Sequence, residues 1–135
     1  MEYLKQNEIK KIYEELMRCD NIFFDRFKPS NIGKDEGIYV IFNSEEKALY
    51  VGRTKNLRRR LSTNHLHGNK STARLKKYLV EDSGMPNITD YESAKEWIKE
   101  NCYFKYIKRS DFRERGKIEG LLSFLLDVKY IEEEH

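Results

Sequence analysis

Cysteine is scarce in this chain of 135 residues: there are two, Cys19 and Cys102, and no CxxC pair. That excludes a disulfide scaffold and a thiolate zinc site, and fits reduced thiols in a cytoplasmic, intracellular protein. Long apolar runs are missing too. None approaches the ~20 residues a membrane-spanning helix needs, and no signal-type apolar region follows Met1. There are no internal repeats and no low-complexity tracts. Histidine is rare, and its one close pair, His65 and His67, has no acid or cysteine nearby to complete a zinc site.

The most telling shortage is of acids. Between Lys47 and Val80 the chain carries ten of its 26 Lys and Arg and not one Asp or Glu, whereas the remainder holds 16 basic and 23 acidic residues. The overall balance of +3 hides this segregation. A solvated basic helix surface would produce such a run, and so would a polyanion-binding face on an acidic body; a complete absence of acids over that length favours phosphate contact. Aromatics at 13% exclude disorder, and charged residues at 36% exceed the ~25% of an average soluble domain. The length suits one domain with one core.

Periodicity lays out the elements. Residues 4–18 place Ile9, Ile12, Tyr13, Leu16 and Met17 on one helical stripe. Gly37–Phe42 and Lys47–Gly52 are β-branched and aromatic runs around the polar loop 43–46, an expected antiparallel hairpin. Thr54 or Asn56 can cap a short helix carrying Leu57 and Leu61. Ser71 or Thr72 would cap a basic helix with Leu75, Tyr78 and Leu79 inward. Asp90 caps a helix through Ala94, Trp97 and Ile98, Tyr103–Lys108 is a third strand, and Asp111 with Glu114 starts a last helix reaching about residue 128. The result is an α+β domain on a small three-stranded antiparallel sheet.

Three constellations carry chemistry. With a loop over 43–46, Tyr39 pairs with Tyr50 and the two phenols stand on one face, as either a core-packing pair or part of a site. In the basic helix, Arg60 adjoins the side anchored by Leu57 and Leu61, while Arg58 and Arg59 point elsewhere. A guanidinium held there can grip phosphate in a bidentate fork. The last helix is apolar nearly all round except for a line of Glu119, Ser123 and Asp127, bordered by Gly116 and Gly120. That line either faces solvent or gives a buried carboxylate an arginine or metal partner.

Gly37-Ile38-Tyr39, then Tyr50-Val51-Gly52, then Asn56-Leu57 with Arg60, then Glu119 on a late helix: in this order and spacing the chain resembles the GIY-YIG endonuclease family, from about Gly37 to Val128. The resemblance implies an α/β/α layered domain that hydrolyses phosphodiesters with one divalent metal, Mg²⁺ or Mn²⁺. It implies Glu119 as the metal ligand, Arg60 on the scissile phosphate, and Tyr39 and Tyr50 ordering or deprotonating the attacking water, with Tyr39 favoured as the activator. Mg²⁺ keeps several waters, so one carboxylate plus a substrate phosphate can hold it. Three positions depart from the family pattern. Asn64 stands where many members have histidine, with His65 one step beyond; Arg53 replaces a lysine; and 129–132 contains no asparagine.

The expected function is therefore a metal-dependent endonuclease acting on double-stranded or branched DNA. Its domain spans residues 37–135, with an N-terminal helix and linker, residues 1–36, packed on it. Arg53, Lys55, Arg58, Arg59, His65, Lys70, Arg74 and Lys77 are the expected DNA contacts. A homodimer or a partner protein would supply specificity. The competing readings are a catalytically weak nucleic-acid-binding module on the same fold, and a protein that binds an acidic partner.

Overall fold

A computed structural model describes residues 2–64 and 74–131. His65, Lys70 and the Ser71 or Thr72 cap lie outside the described residues.

The elements run α1 (Glu2–Met17), β1 (Ile22–Phe23), a 3₁₀ turn (Pro29–Asn31), β2 (Gly37–Asn43), β3 (Ala48–Thr54), α2 (Leu57–Arg59), α3 (Arg74–Glu81), α4 (Tyr91–Asn101), β4 (Cys102–Lys108) and α5 (Phe112–Leu125). The architecture is α+β, as expected, but the sheet has four antiparallel strands, in the order β1-β4-β2-β3. The additional strand pairs Ile22 with Phe104 and Phe23 with Tyr103. Two residues are too few to carry an alternating pattern, so periodicity misses it.

Helices cover both faces of the sheet. One face packs Tyr39, Ile41, Tyr50 and Phe104 against Leu57 and Leu61, Leu75 and Leu79, and Ala94 and Ile98 of α2–α4. The other packs Ile38, Val40, Val51 and Ile107 against Leu16 of α1 and Ile118 and Leu122 of α5. Because β2 is central and covered on both sides, Gly37 through Phe42 are all buried. Side chains fix the helix ends. Asp90 accepts from Ser93 N in a reciprocal capping box, and Asp111 accepts from Arg113 N and Glu114 N. Glu114 itself turns outward to Arg109, which also grips Glu15 and so ties α1 to the start of α5.

The hairpin register differs from the expected one by two residues. The loop is one residue shorter than expected, because Asn43 N donates to Lys47 O and Asn43 Oδ1 accepts from Glu45 N and Lys47 N, with Glu46 at φ 66°. An irregularity between Ile41 and Phe42 then adds a second step, so Tyr39 lies opposite Gly52 and Tyr50 opposite Ile41. Two single-residue shifts restore the parity of the pleat. Tyr39 and Tyr50 therefore still share a face, as diagonal neighbours with ring centroids 6.2 Å apart.

The last helix also differs from its expected form. It ends at Leu125; Asp127 has φ 48° and a side chain that is 98% exposed, reaching Lys47 at 3.5 Å. Asp127 is thus not on the line of Glu119 and Ser123. Nor is α5 apolar to a purpose all round, since Phe124 is 84% exposed. After α5 the chain lies along the edge strand, with Lys129 N and Tyr130 N donating to Ala48 O and Leu49 O. That satisfies part of an otherwise open sheet edge.

Candidate active site

At the edge of β3, between α3 and α5, lies a cavity of about 160 Å³. Tyr50, Arg74, Tyr78, Glu119, Ser123 and Tyr130 supply its polar and aromatic walls. Glu119 is its only carboxylate among the described residues. The side chain is half-buried, and its Oε1 lies 4.0 Å from Arg53 Nε. Burial pushes its carboxyl above the ordinary range, and the charges of Arg53, Arg74 and Arg60 oppose that rise. Gly116, one turn before Glu119, makes room for the Arg53 guanidinium: a Cβ there would displace it from its present position. At Gly120 the neighbouring space is open.

The two phenols are seated unequally. Tyr39 is wholly buried, its ring laid over Gly52, where any Cβ would strike it. Burial holds its hydroxyl protonated far above the usual phenol range, reinforced by a hydrogen bond with the Tyr50 side chain. Tyr50 lines the cavity. Burial raises it as well, while Arg74 and Arg60 pull it down. Tyr78 packs against Tyr50 at 6.3 Å and stacks on Tyr130 at 5.8 Å, and Tyr130 is latched by donating to Asp82 Oδ2 at 2.6 Å. Sequence reasoning misses this aromatic wall, because Tyr130 reaches it from a tail whose course no local pattern encodes.

Arg60 begins a π-helical turn, Arg60–Asn64, directly after α2. Its Nε is buried and has no hydrogen-bond partner among the described residues. Such a donor carries a desolvation cost unless a ligand meets it. The neighbouring arginines differ in use. Arg58 Nε donates to Ile32 O at 2.7 Å, so this guanidinium holds α2 to the preceding loop instead of pointing free. Arg59 and Lys55 are exposed and line, with Arg53 and Arg60, a second cavity of about 490 Å³. Arg74 is exposed and borders the Glu119 cavity, while Lys77 is exposed beside it in sequence and borders neither.

Among the described residues no three His, Cys, Asp or Glu gather as a metal cage. The cavity does offer one half-buried carboxylate, oxygen donors at Tyr50 and Ser123, and room beside Gly120. This oxygen-only set suits a hard cation that completes its shell with water and substrate oxygens.

Residues 35–115 match the family model of the GIY-YIG catalytic domain. The chain belongs to the GIY-YIG family. The match takes in Tyr39, Tyr50 and Arg60 and stops four residues short of Glu119. The chain is also similar to proteins named UvrABC system protein C from Campylobacter jejuni. It is 36% identical over 77 residues to that of strain 81-176 and 35% identical over 77 residues to that of strain RM1221. Each alignment covers 53% of this chain and 13% of the relative, so the chain spans only a small part of those proteins' length. In this GIY-YIG domain Tyr50 and Glu119 line one cavity, Arg60 lines the other, and Tyr39 is buried beside Tyr50. No helix among the described residues is long and apolar enough to cross a membrane.

Proposed function

We propose that this GIY-YIG domain is a metal-dependent endonuclease that hydrolyses phosphodiester bonds in DNA. The observation that carries the reading is the convergence of Tyr50, Glu119 and the cations Arg53, Arg60 and Arg74 at one sheet edge. The relatives' name, UvrABC system protein C, supports a part in a multi-component system acting on DNA. Partner proteins would then supply target choice.

Glu119 would hold Mg²⁺ or Mn²⁺, which when bound polarises the scissile phosphate and stabilises the leaving oxygen. Arg60 offers the phosphate a buried, unpaired Nε–H, a donor already positioned for charge that develops in the transition state. Tyr50 stands in the cavity wall as a neutral phenol, able to accept a hydrogen bond from an attacking water and so orient it. Tyr39 holds Tyr50 through their shared hydrogen bond and does not line the cavity. This division reverses the sequence-based preference for Tyr39 as the water-contacting residue; full burial of its ring is the reason.

The test is supercoiled plasmid incubated with the purified protein and Mg²⁺, Mn²⁺ or EDTA. Nicked or linear product with metal and none with EDTA is expected. DNA binding without cleavage under every metal would assign the chain to the binding-module reading instead.

A further inference from the structure

Phe112 and Glu119 are seven positions apart on α5, about two helical turns, so both side chains project along one side of the helix. Between them Gly116 leaves a trough into which the Arg53 guanidinium settles. Arg53 thus bridges two places: it pairs with Glu119 at 4.0 Å, and it lines the second cavity with Lys55, Arg59, Arg60 and Phe112. Among the described residues no carboxylate lines that second cavity. Its one large apolar side chain among the described residues is Phe112, which is 69% exposed at the first turn of α5. An aromatic ring left bare in a cationic cleft contributes little to folding, because most of its area remains in water. It does present a free π-face among phosphate-binding cations, the combination that grips single-stranded nucleic acid.

We infer that this cleft binds an unstacked nucleotide of the substrate strand, its base on the Phe112 ring and its phosphates on Arg53, Lys55 and Arg59. The spacing fits. Two helical turns span ~10 Å, about three stacked nucleotides of one strand at ~3.4 Å each, so the base lies within about three nucleotides of the strand position beside Glu119. A fully paired duplex would have to unstack to reach the ring, whereas DNA already unpaired beside the cut site would not. The domain therefore prefers DNA with unpaired nucleotides next to the cleaved bond. This inference rests on the nuclease reading for the position of the cut, but binding tests it without cleavage.

The experiment uses the full chain in EDTA with two labelled DNAs, a paired duplex and the same duplex with three unpaired nucleotides, one of them 2-aminopurine. Wild type should bind the unpaired DNA about tenfold more tightly than the duplex and quench the 2-aminopurine by stacking. Phe112→Ala should lose the preference and the quenching with its duplex affinity unchanged, and Phe112→Trp should keep both. A circular dichroism melt confirms that each variant is folded. Phe112→Ala matching wild type on both DNAs overturns the inference. Loss of the preference and quenching in Phe112→Ala, together with no cleavage under any metal, upholds the base-binding cleft and removes only the nuclease reading. Failure to bind either DNA overturns both.

Discussion

Glu119 has a stability cost that follows from its place. Because burial raises its carboxyl above the ordinary value of 4.5, the native chain holds this proton to higher pH than the unfolded chain does. More protons bound in the native state means that stability falls as pH rises through that window. Glu119→Gln removes the cost, so it should melt higher than wild type at pH 8, with the advantage closing below the ordinary carboxylate value. A lower Tm at pH 8 would mean that the pairing with Arg53 outweighs burial. The tyrosines make a second contrast at this scale. Replacement by Phe keeps ring packing and removes only the hydroxyl, which lies in the cavity wall at Tyr50 and beneath it at Tyr39. Tyr50→Phe should lose on the order of 10²-fold in kcat, the low end for acid–base assistance. Tyr39→Phe should lose less and act through Tyr50. If Tyr39→Phe is dead while Tyr50→Phe cleaves, the roles are exchanged.

Among the elements, the short α2 and the turn after it separate arginines that look alike in sequence. Arg58 is fixed on the Ile32 carbonyl, so Arg58→Ala should cost about 1.5–3 kcal/mol of stability, a charged hydrogen bond's worth, and lower Tm with little change in kcat. Arg60→Ala should do the reverse, lowering kcat with Tm nearly unchanged, because its Nε has no internal partner among the described residues to lose. Equal effects of the two substitutions would contradict this separation. The run of basic residues shows why sequence reading ends where it does. The i, i+4 pair of Leu57 and Leu61 tells which side of the helix is inward, and that places Arg60. It does not tell that the loop at Ile32 presents a carbonyl to Arg58, a contact across 26 residues. The hairpin has the same limit. Alternation puts both phenols on one face, but the loop closure at Asn43 and the irregularity after Ile41 depend on a side-chain cap and a left-handed Glu46 that alternation does not encode. The tail beyond α5, with Tyr130 stacked into the cavity wall, had no legible signal.

For the whole molecule, the acid-free stretch and the sheet edge coincide. Arg53, Lys55 and Arg59 line one cavity and Arg74 the other, while the acids all lie outside the 47–80 stretch. Binding to any DNA should accordingly weaken as salt rises, with Arg59→Ala and Lys77→Ala each reducing the log–log slope by about one phosphate contact. An unchanged slope in both variants would take the polyanion face away from this side. The central claim is that Glu119, carried to the edge of β3 by α5, is the carboxylate on which metal-dependent cleavage depends. The most direct measurement is the single-turnover cleavage rate of one end-labelled DNA in Mg²⁺, wild type against Glu119→Gln, with binding affinity measured in parallel. A fall of ~10²–10⁴-fold or more in rate at nearly unchanged affinity is expected, corresponding to several kcal/mol of lost transition-state stabilisation. Glu119→Gln cleaving at the wild-type rate would contradict the account.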